Sequence, residues 1–178
     1  MGFHVTHLYG LTETYGPHTM CEAQPEWDAM TPDALAQAKA RQGVPYLIAH
    51  TGLRVVDEAM TDVPRDGIAV GEVAMRGNNV MSGYYADPES TDKAFEGGWF
   101  HSGDLAVWHP DGYIKIQDRA KDIIISGGEN ISSQQVEKVI MEHPAVMEVA
   151  VVGVPDDRWG EVAKAFVLPK AGTIVTAE

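Results

Sequence analysis

GWFHSGDLAVWHPDGYIKIQDRAKDIIISGGENISSQQVE, Gly98 to Glu137, carries two different folding patterns on either side of a charged break. Its first half holds two apolar runs around Asp111-Gly112, a dipeptide favoured in tight hairpin turns, so LAVWHPDGYIKIQ reads as a β-hairpin. Beyond Gln117 the character changes. Asp118 to Lys121 is a charged four-residue break between the apolar runs YIKI and DIIIS, and a domain boundary is expected there. Ser132 with Gln135 three residues on makes a capping-box pattern, and Val136, Val139 and Ile140 fall at helical spacing until Pro144 forbids continuation. The strand VMEVAVVGV follows. Strand, turn, helix, strand is the beginning of a small α+β domain.

Working outward toward the N-terminus, FHVTHLYG is rich in β-branched and aromatic residues and predicts a strand that delivers a loop at Tyr9 to Gly16. Thr31 is a predicted N-cap with Pro32 at the first helical position, opening a short helix through Ala34 to Gln42 that Gly43 stops. LRVVD and GEVAMRG read as strands. A Gly/Tyr-rich connection leads to a second Pro-initiated helical turn, Pro88 to Phe95, capped by Asp87. These elements describe an antiparallel, strand-rich unit.

Composition narrows the function classes. With 178 residues and 44% hydrophobic content the chain can bury one sizeable core or two small ones. Thirteen cations against 26 carboxylates, a net charge of -13, leave little basic surface for nucleic acid or an anionic membrane. No apolar run is long enough to span a bilayer, and MGFHVTHLYG lacks the regions of a signal peptide, so cytoplasmic residence is expected. The single cysteine, Cys21, excludes an intrachain disulfide and reads as an inert thiol.

Three segments carry side chains suited to nucleotide chemistry. In YGLTET, Tyr9 to Thr14, Gly10 allows close backbone approach, Thr12 and Thr14 offer hydroxyls, and Glu13 offers a hard oxygen ligand of the kind Mg²⁺ takes. Alone, such a loop is more often a solvated turn. In HSGD, His101 to Asp104, the carboxylate could accept both hydroxyls of a ribose, or could simply cap a turn. Arg119 presents a permanently charged planar fork that matches phosphate. Gly127 and Gly128 read as turn formers. His4 and His7, three apart on the expected strand, would point to opposite faces and form no metal pair. The four tryptophans read as packing, and Asp156-Asp157 as a solvated loop.

Together YGLTET, GWFHSGD and IKIQDRAKDIIISGGENIS resemble consecutive signature motifs of the AMP-forming adenylating enzymes, the superfamily of acyl-CoA synthetases, nonribosomal adenylation domains and luciferases. The resemblance covers nearly the whole chain. It implies an α/β fold, α+β in parts, in which residues 1–117 are the strand-rich C-terminal portion of the large AMP-binding domain. Residues 118–121 would be the hinge, and residues 122–178 the start of a small lid domain. By resemblance Tyr9 packs on adenine with Ile116 nearby, Gly10 and Thr12 approach the phosphates, and Glu13 holds magnesium. Asp104 then takes the ribose, Arg119 the ribose and phosphate, and Asp118 is the pivot. Gly127 and Gly128 would line the pantetheine passage, and Arg158 and Lys164 could approach a coenzyme A phosphate.

The activity implied is ATP-dependent adenylation of a fatty or short-chain acid followed by thioester formation with coenzyme A. Catalytic residues would be Thr12, Glu13 and Arg119, with ATP/AMP, Mg²⁺ and coenzyme A as cofactors. A homo-oligomer is compatible with this. The family's phosphate loop precedes these segments and its catalytic lysine follows them, and neither lies in this sequence; an internal piece, inactive alone, is expected. Two other readings stand beside it: a noncatalytic remnant or nucleotide-binding module, and an adenylating enzyme that loads a carrier protein.

Overall fold

A computed structural model describes residues 3–46 and 52–173. Two compact units emerge, residues 1–116 and residues 117–178. In the first, β1 (Leu8–Leu11), β2 (Gly16–Met20) and β3 (Val44–Pro45) form an antiparallel three-stranded sheet in that order. Between β2 and β3 lies α1 (Pro32–Lys39), where Thr31 Oγ1 accepts from the Ala34 amide as expected of an N-cap. A second sheet has the order β4 (Leu53–Val56), β5 (Val70–Met75), β6 (Phe100–Trp108), β7 (Ile114–Arg119). The connection from β5 to β6 carries α2 (Pro88–Ala94), capped by Asp87 at the Ser90 amide.

The core of this unit follows from strand alternation. Val55, Val73, Met75, Phe100, Ala106, Trp108 and Ile114 converge from β4 to β7 with Leu53 and Val63. Fully burying such side chains stabilises by about 1.5–3 kcal/mol each. A smaller cluster joins Cys21, Trp27, Ala38 and Tyr113. The buried Arg41 guanidinium stacks on Tyr113 at 4.3 Å and on Trp27 at 5.3 Å, and pairs with Asp111 at 2.8 Å.

The second unit holds β8 (Ile123–Ser126), β9 (Glu129–Ser132), α3 (Ser133–Met141), β10 (Val146–Asp156) and β11 (Gly160–Pro169). Its sheet has the order β10-β11-β8-β9. Gly127 and Gly128, with φ of 60° and 88°, make the two-residue turn joining β8 to β9, a conformation that glycine adopts without Cβ strain.

Several local expectations shift. Phe3 to His7 lies outside regular structure, so strand alternation does not set the directions of His4 and His7; among the described residues no metal-binding cluster forms. Only the first half of the capping box exists. Ser132 Oγ accepts from the Gln135 amide, but Gln135 Nε2 reaches Gln117 Oε1 instead of turning back, since Ser132 is also the last residue of β9. The strand β11 was not foreseen. Asp156 is the tight turn before it, its carboxylate accepting from the amides of Arg158 and Trp159.

Candidate functional site

Strand β1 ends in a single 3-10 turn, Thr12–Thr14, and Tyr15 then takes a left-handed conformation that sends the chain back as β2. Thr14 builds this turn. Fully buried, its Oγ1 accepts from the Leu11 amide at 2.9 Å and lies within donating distance of the Leu11 and Gly16 carbonyls. Two further bonds pin the turn: Asn79 Nδ2 donates to Thr14 O at 3.0 Å, and the Met81 amide donates to Glu13 O at 2.7 Å. With the backbone held, Thr12 is left exposed and Glu13 half-buried. Gly10 is needed by the chain itself, because a Cβ there would overlap the Gly16 carbonyl of β2.

Tyr84 donates its hydroxyl to Glu13 Oε1 at 3.1 Å. Burial, together with the hydrogen bond to Glu13 and that group's charge, pushes the phenol above its ordinary pKa and keeps it a donor. Beneath the turn lies the buried His18, which faces Gly52 O through Nε2 at 3.0 Å and Asn79 Nδ2 through Nδ1 at 3.3 Å. Burial drives the His18 pKa down, with the Gly52 carbonyl opposing. The neutral ring with its proton on Nε2 satisfies both partners.

Asp104 sits inside β6, not at a strand start, and is 6% exposed. It caps no turn. Tyr9 donates its hydroxyl to Asp104 Oδ2 at 2.6 Å, a short charge-assisted bond between residues 95 apart in sequence. Tyr9 and Ile116 both pack on the main core, and the Ile116 amide donates to Gln42 Oε1 at 2.6 Å. Tertiary structure therefore brings Tyr9 to Asp104, while Ile116 packs on the same core that Tyr9 does.

The approach to Asp104 is irregular. Ladder pairs run Glu72 to Leu105 and Ala74 to His101, so Ser102, Gly103 and Asp104 together face Val73. Side chains supply the bonds the ladder omits. Ser102 Oγ donates to Val73 O at 2.7 Å and accepts from the Asp104 amide at 3.1 Å; Glu72 Oε1 accepts from the Gly103 amide at 2.8 Å. Glu72 Oε2 meets His101 Nδ1 at 2.7 Å, and His101 Nε2 faces Glu96 O at 3.1 Å. A groove of about 960 Å³ runs along this face, lined in part by Glu72, Tyr84, Lys93, His101, Ser102 and Gly103.

Asp118, near the end of β7, is 1% exposed. Its Oδ2 accepts from Ser132 Oγ at 2.7 Å, Ser133 Oγ at 3.2 Å and the Gln134 amide at 3.3 Å, while Oδ1 accepts from the Arg119 amide at 2.8 Å. Burial pushes its pKa up, and these four donors together outweigh it, so the carboxyl ends below its ordinary range. The acid therefore crowns the start of α3, where negative charge is favoured. Gly127 lies under Trp159, whose Cε3 would be 2.6 Å from a Cβ, and the Gly127 amide donates to Trp159 O at 2.8 Å.

Sequence reasoning missed Tyr84, Asn79 and Glu72. His101 and Ser102 lay inside a quoted motif, yet only the fold reveals what they touch.

The AMP-binding enzyme family matches residues 1–85, and the AMP-binding enzyme C-terminal domain matches residues 135–178. An acetate–CoA ligase of Humulus lupulus is 60% identical over 170 residues, 95% of this chain and 30% of the relative. A 4-hydroxybutyrate–CoA ligase of Metallosphaera sedula is 52% identical over 178 residues, 100% of this chain and 32% of the relative. The chain thus spans about a third of the curated relatives it matches. Among solved structures, the o-succinylbenzoate CoA synthetase of Bacillus subtilis with its acyl-adenylate intermediate superposes at a TM-score of 0.80 with 30% identity, covering 99% of this chain and 33% of that one. The same synthetase with ATP and a magnesium ion gives 0.76 with 30% identity, covering 95% and 32%.

Proposed function

Because the chain belongs to the AMP-binding enzyme family, we propose that it supplies the ribose-binding, magnesium-binding and hinge elements of an AMP-forming acid:CoA ligase acting on a short-chain carboxylate. The observation that carries this reading is the Tyr9–Asp104 hydrogen bond, which joins two separated motifs at one buried carboxylate. A buried carboxylate oriented by a phenol is an acceptor of the kind that suits a vicinal diol. Asp104 takes the ribose, and Tyr9 and Ile116 present apolar surface to the adenine. Gly10 and Thr12 approach the phosphates, where the Thr12 hydroxyl, exposed at the tip of a pinned turn, meets the α-phosphate.

Glu13 fits a magnesium ion that keeps most of its ligands from phosphate oxygens and water, since it offers one oriented carboxylate and no protein cage surrounds it among the described residues. When bound, magnesium neutralises charge on the phosphoryl oxygens. The acid's carboxylate oxygen attacks the α-phosphorus, and the bond to the pyrophosphate oxygen breaks. Arg119 offsets the charge developing on the adenylate. The coenzyme A thiol then attacks the acyl carbon and AMP leaves. Asp118 is the pivot between these half-reactions, and Gly127 with Gly128 borders the pantetheine path. Cytoplasmic residence belongs to the same proposal; among the described residues no helix is long and apolar enough to cross a membrane.

Acid-dependent ATP–pyrophosphate exchange in the full-length protein tests the reading, with acetate, butyrate and 4-hydroxybutyrate as candidate acids. Exchange stimulated by one of them, followed by acyl-CoA formation when coenzyme A is added, is expected. AMP binding without exchange would instead establish a noncatalytic nucleotide-binding module. Exchange without use of coenzyme A would point to a carrier protein as acceptor.

A further inference from the structure

We infer that Glu72 is a positioning residue for Asp104, acting through the bulge that precedes it. The proposal rests on Asp104 being the ribose ligand. Where three residues of β6 face one of β5, the peptide planes from Ser102 to Asp104 are not set by the ladder. Gly103, at φ 73°, lies in the left-handed region and has no Cβ to restrict it, so the bulge has no intrinsic reason to hold one geometry. Its two sides are fixed by side chains instead. Ser102 spans Val73 O and the Asp104 amide, and Glu72 spans the Gly103 amide and His101.

Glu72 reaches the bulge at two points, the His101 ring and the Gly103 amide. Its two oxygens hold residues 101 and 103 and so orient the 102–103 peptide, from which the chain runs on into Asp104. At the far end the Asp104 carboxylate is already committed to Tyr9 at 2.6 Å. A tilt of the 102–103 peptide, passed on through the flexible Gly103, would therefore swing the carboxylate against a fixed partner and misdirect the oxygen offered to a ribose. None of this requires Glu72 to touch the nucleotide.

Discrimination between ATP and 2′,3′-dideoxy-ATP in acid-dependent adenylation by the full-length protein reads the alignment of Asp104 directly. Glu72→Ala should raise KM for ATP about tenfold, a misaligned charge-assisted hydrogen bond, with kcat and KM for the dideoxy nucleotide little changed. Glu72→Gln, which keeps an acceptor for the Gly103 amide, should recover most of the preference. A general loss of fold would instead depress both nucleotides alike and lower Tm. Should the alanine variant not fold, Glu72→Asp, which withdraws the carboxylate from the bulge, carries the same comparison. Retention of the wild-type preference in the folded alanine or aspartate variant overturns the proposal. If the wild-type protein itself does not prefer ATP, the assignment of Asp104 to the ribose fails first.

Discussion

Thr14 has no proposed contact with nucleotide, yet the motif turn depends on it more than on its neighbours. Its hydroxyl is buried and satisfies a backbone amide that would otherwise be unpaired. Thr14→Val keeps the shape and removes the acceptor, so it should destabilise the chain by about 1–3 kcal/mol in urea unfolding. AMP affinity should fall as well, because Thr12 and Glu13 ride on the same turn. His18 below it gives a pH signature. Its pKa is lowered in the folded state by burial, so the unfolded chain binds the proton more readily. That contribution is fully present above the unfolded value of about 6.5 and is lost as pH falls below it toward the folded pKa. Urea midpoints should therefore drop between pH 7 and pH 5.5, and His18→Gln should flatten that drop. Both residues were visible in the sequence only as an extra hydroxyl and a lone histidine. Their importance comes from burial, which no local pattern encodes.

At the scale of elements, the start of α3 is the most heavily determined junction in the second unit. Ser132 was legible as a cap because it precedes an apolar helical period. Local pattern marks Asp118 as part of a charged break and the family motif as a pivot, but neither reveals its partners, which lie fourteen to sixteen residues downstream. Asp118→Asn should cost about 1–3 kcal/mol at pH 7, with an amide nitrogen facing donors where an oxygen had accepted. The acid limb supplies the sign. A carboxyl with a lowered folded pKa contributes stability above its unfolded value of about 3.9, lost as pH falls through the folded value. Wild type should lose stability below pH 4 more steeply than the asparagine variant, measured by circular dichroism of acid titrations. The strands β9 and β11 escaped prediction for a related reason. Neither shows clean alternation, because one is four residues long and the other leaves most of its residues exposed.

Across the whole molecule, apolar burial is uneven. The first unit buries a cluster from Leu53 to Ile114, whereas the buried apolar side chains described beyond residue 116 are Ile124, Val146 and Val151. Val139, Met141, Met147, Phe166 and Leu168 are exposed there. Less apolar area removed from water means less stabilisation per residue. Amides of β10 and β11 should then exchange with deuterium faster than those of β5 and β6 in hydrogen-exchange mass spectrometry; equal protection would show that this difference does not govern local stability. The sequence alone determined the hairpin at Asp111-Gly112, the helix caps, the charged break and the family motifs, since each rests on residues close together along the chain. That Tyr9 meets Asp104, that Glu72 stitches the bulge before it, and that Asp118 crowns α3 emerge from long-range packing alone. Those outcomes depend on strand register and on which polar groups burial leaves in need of partners, and both are properties of the folded whole.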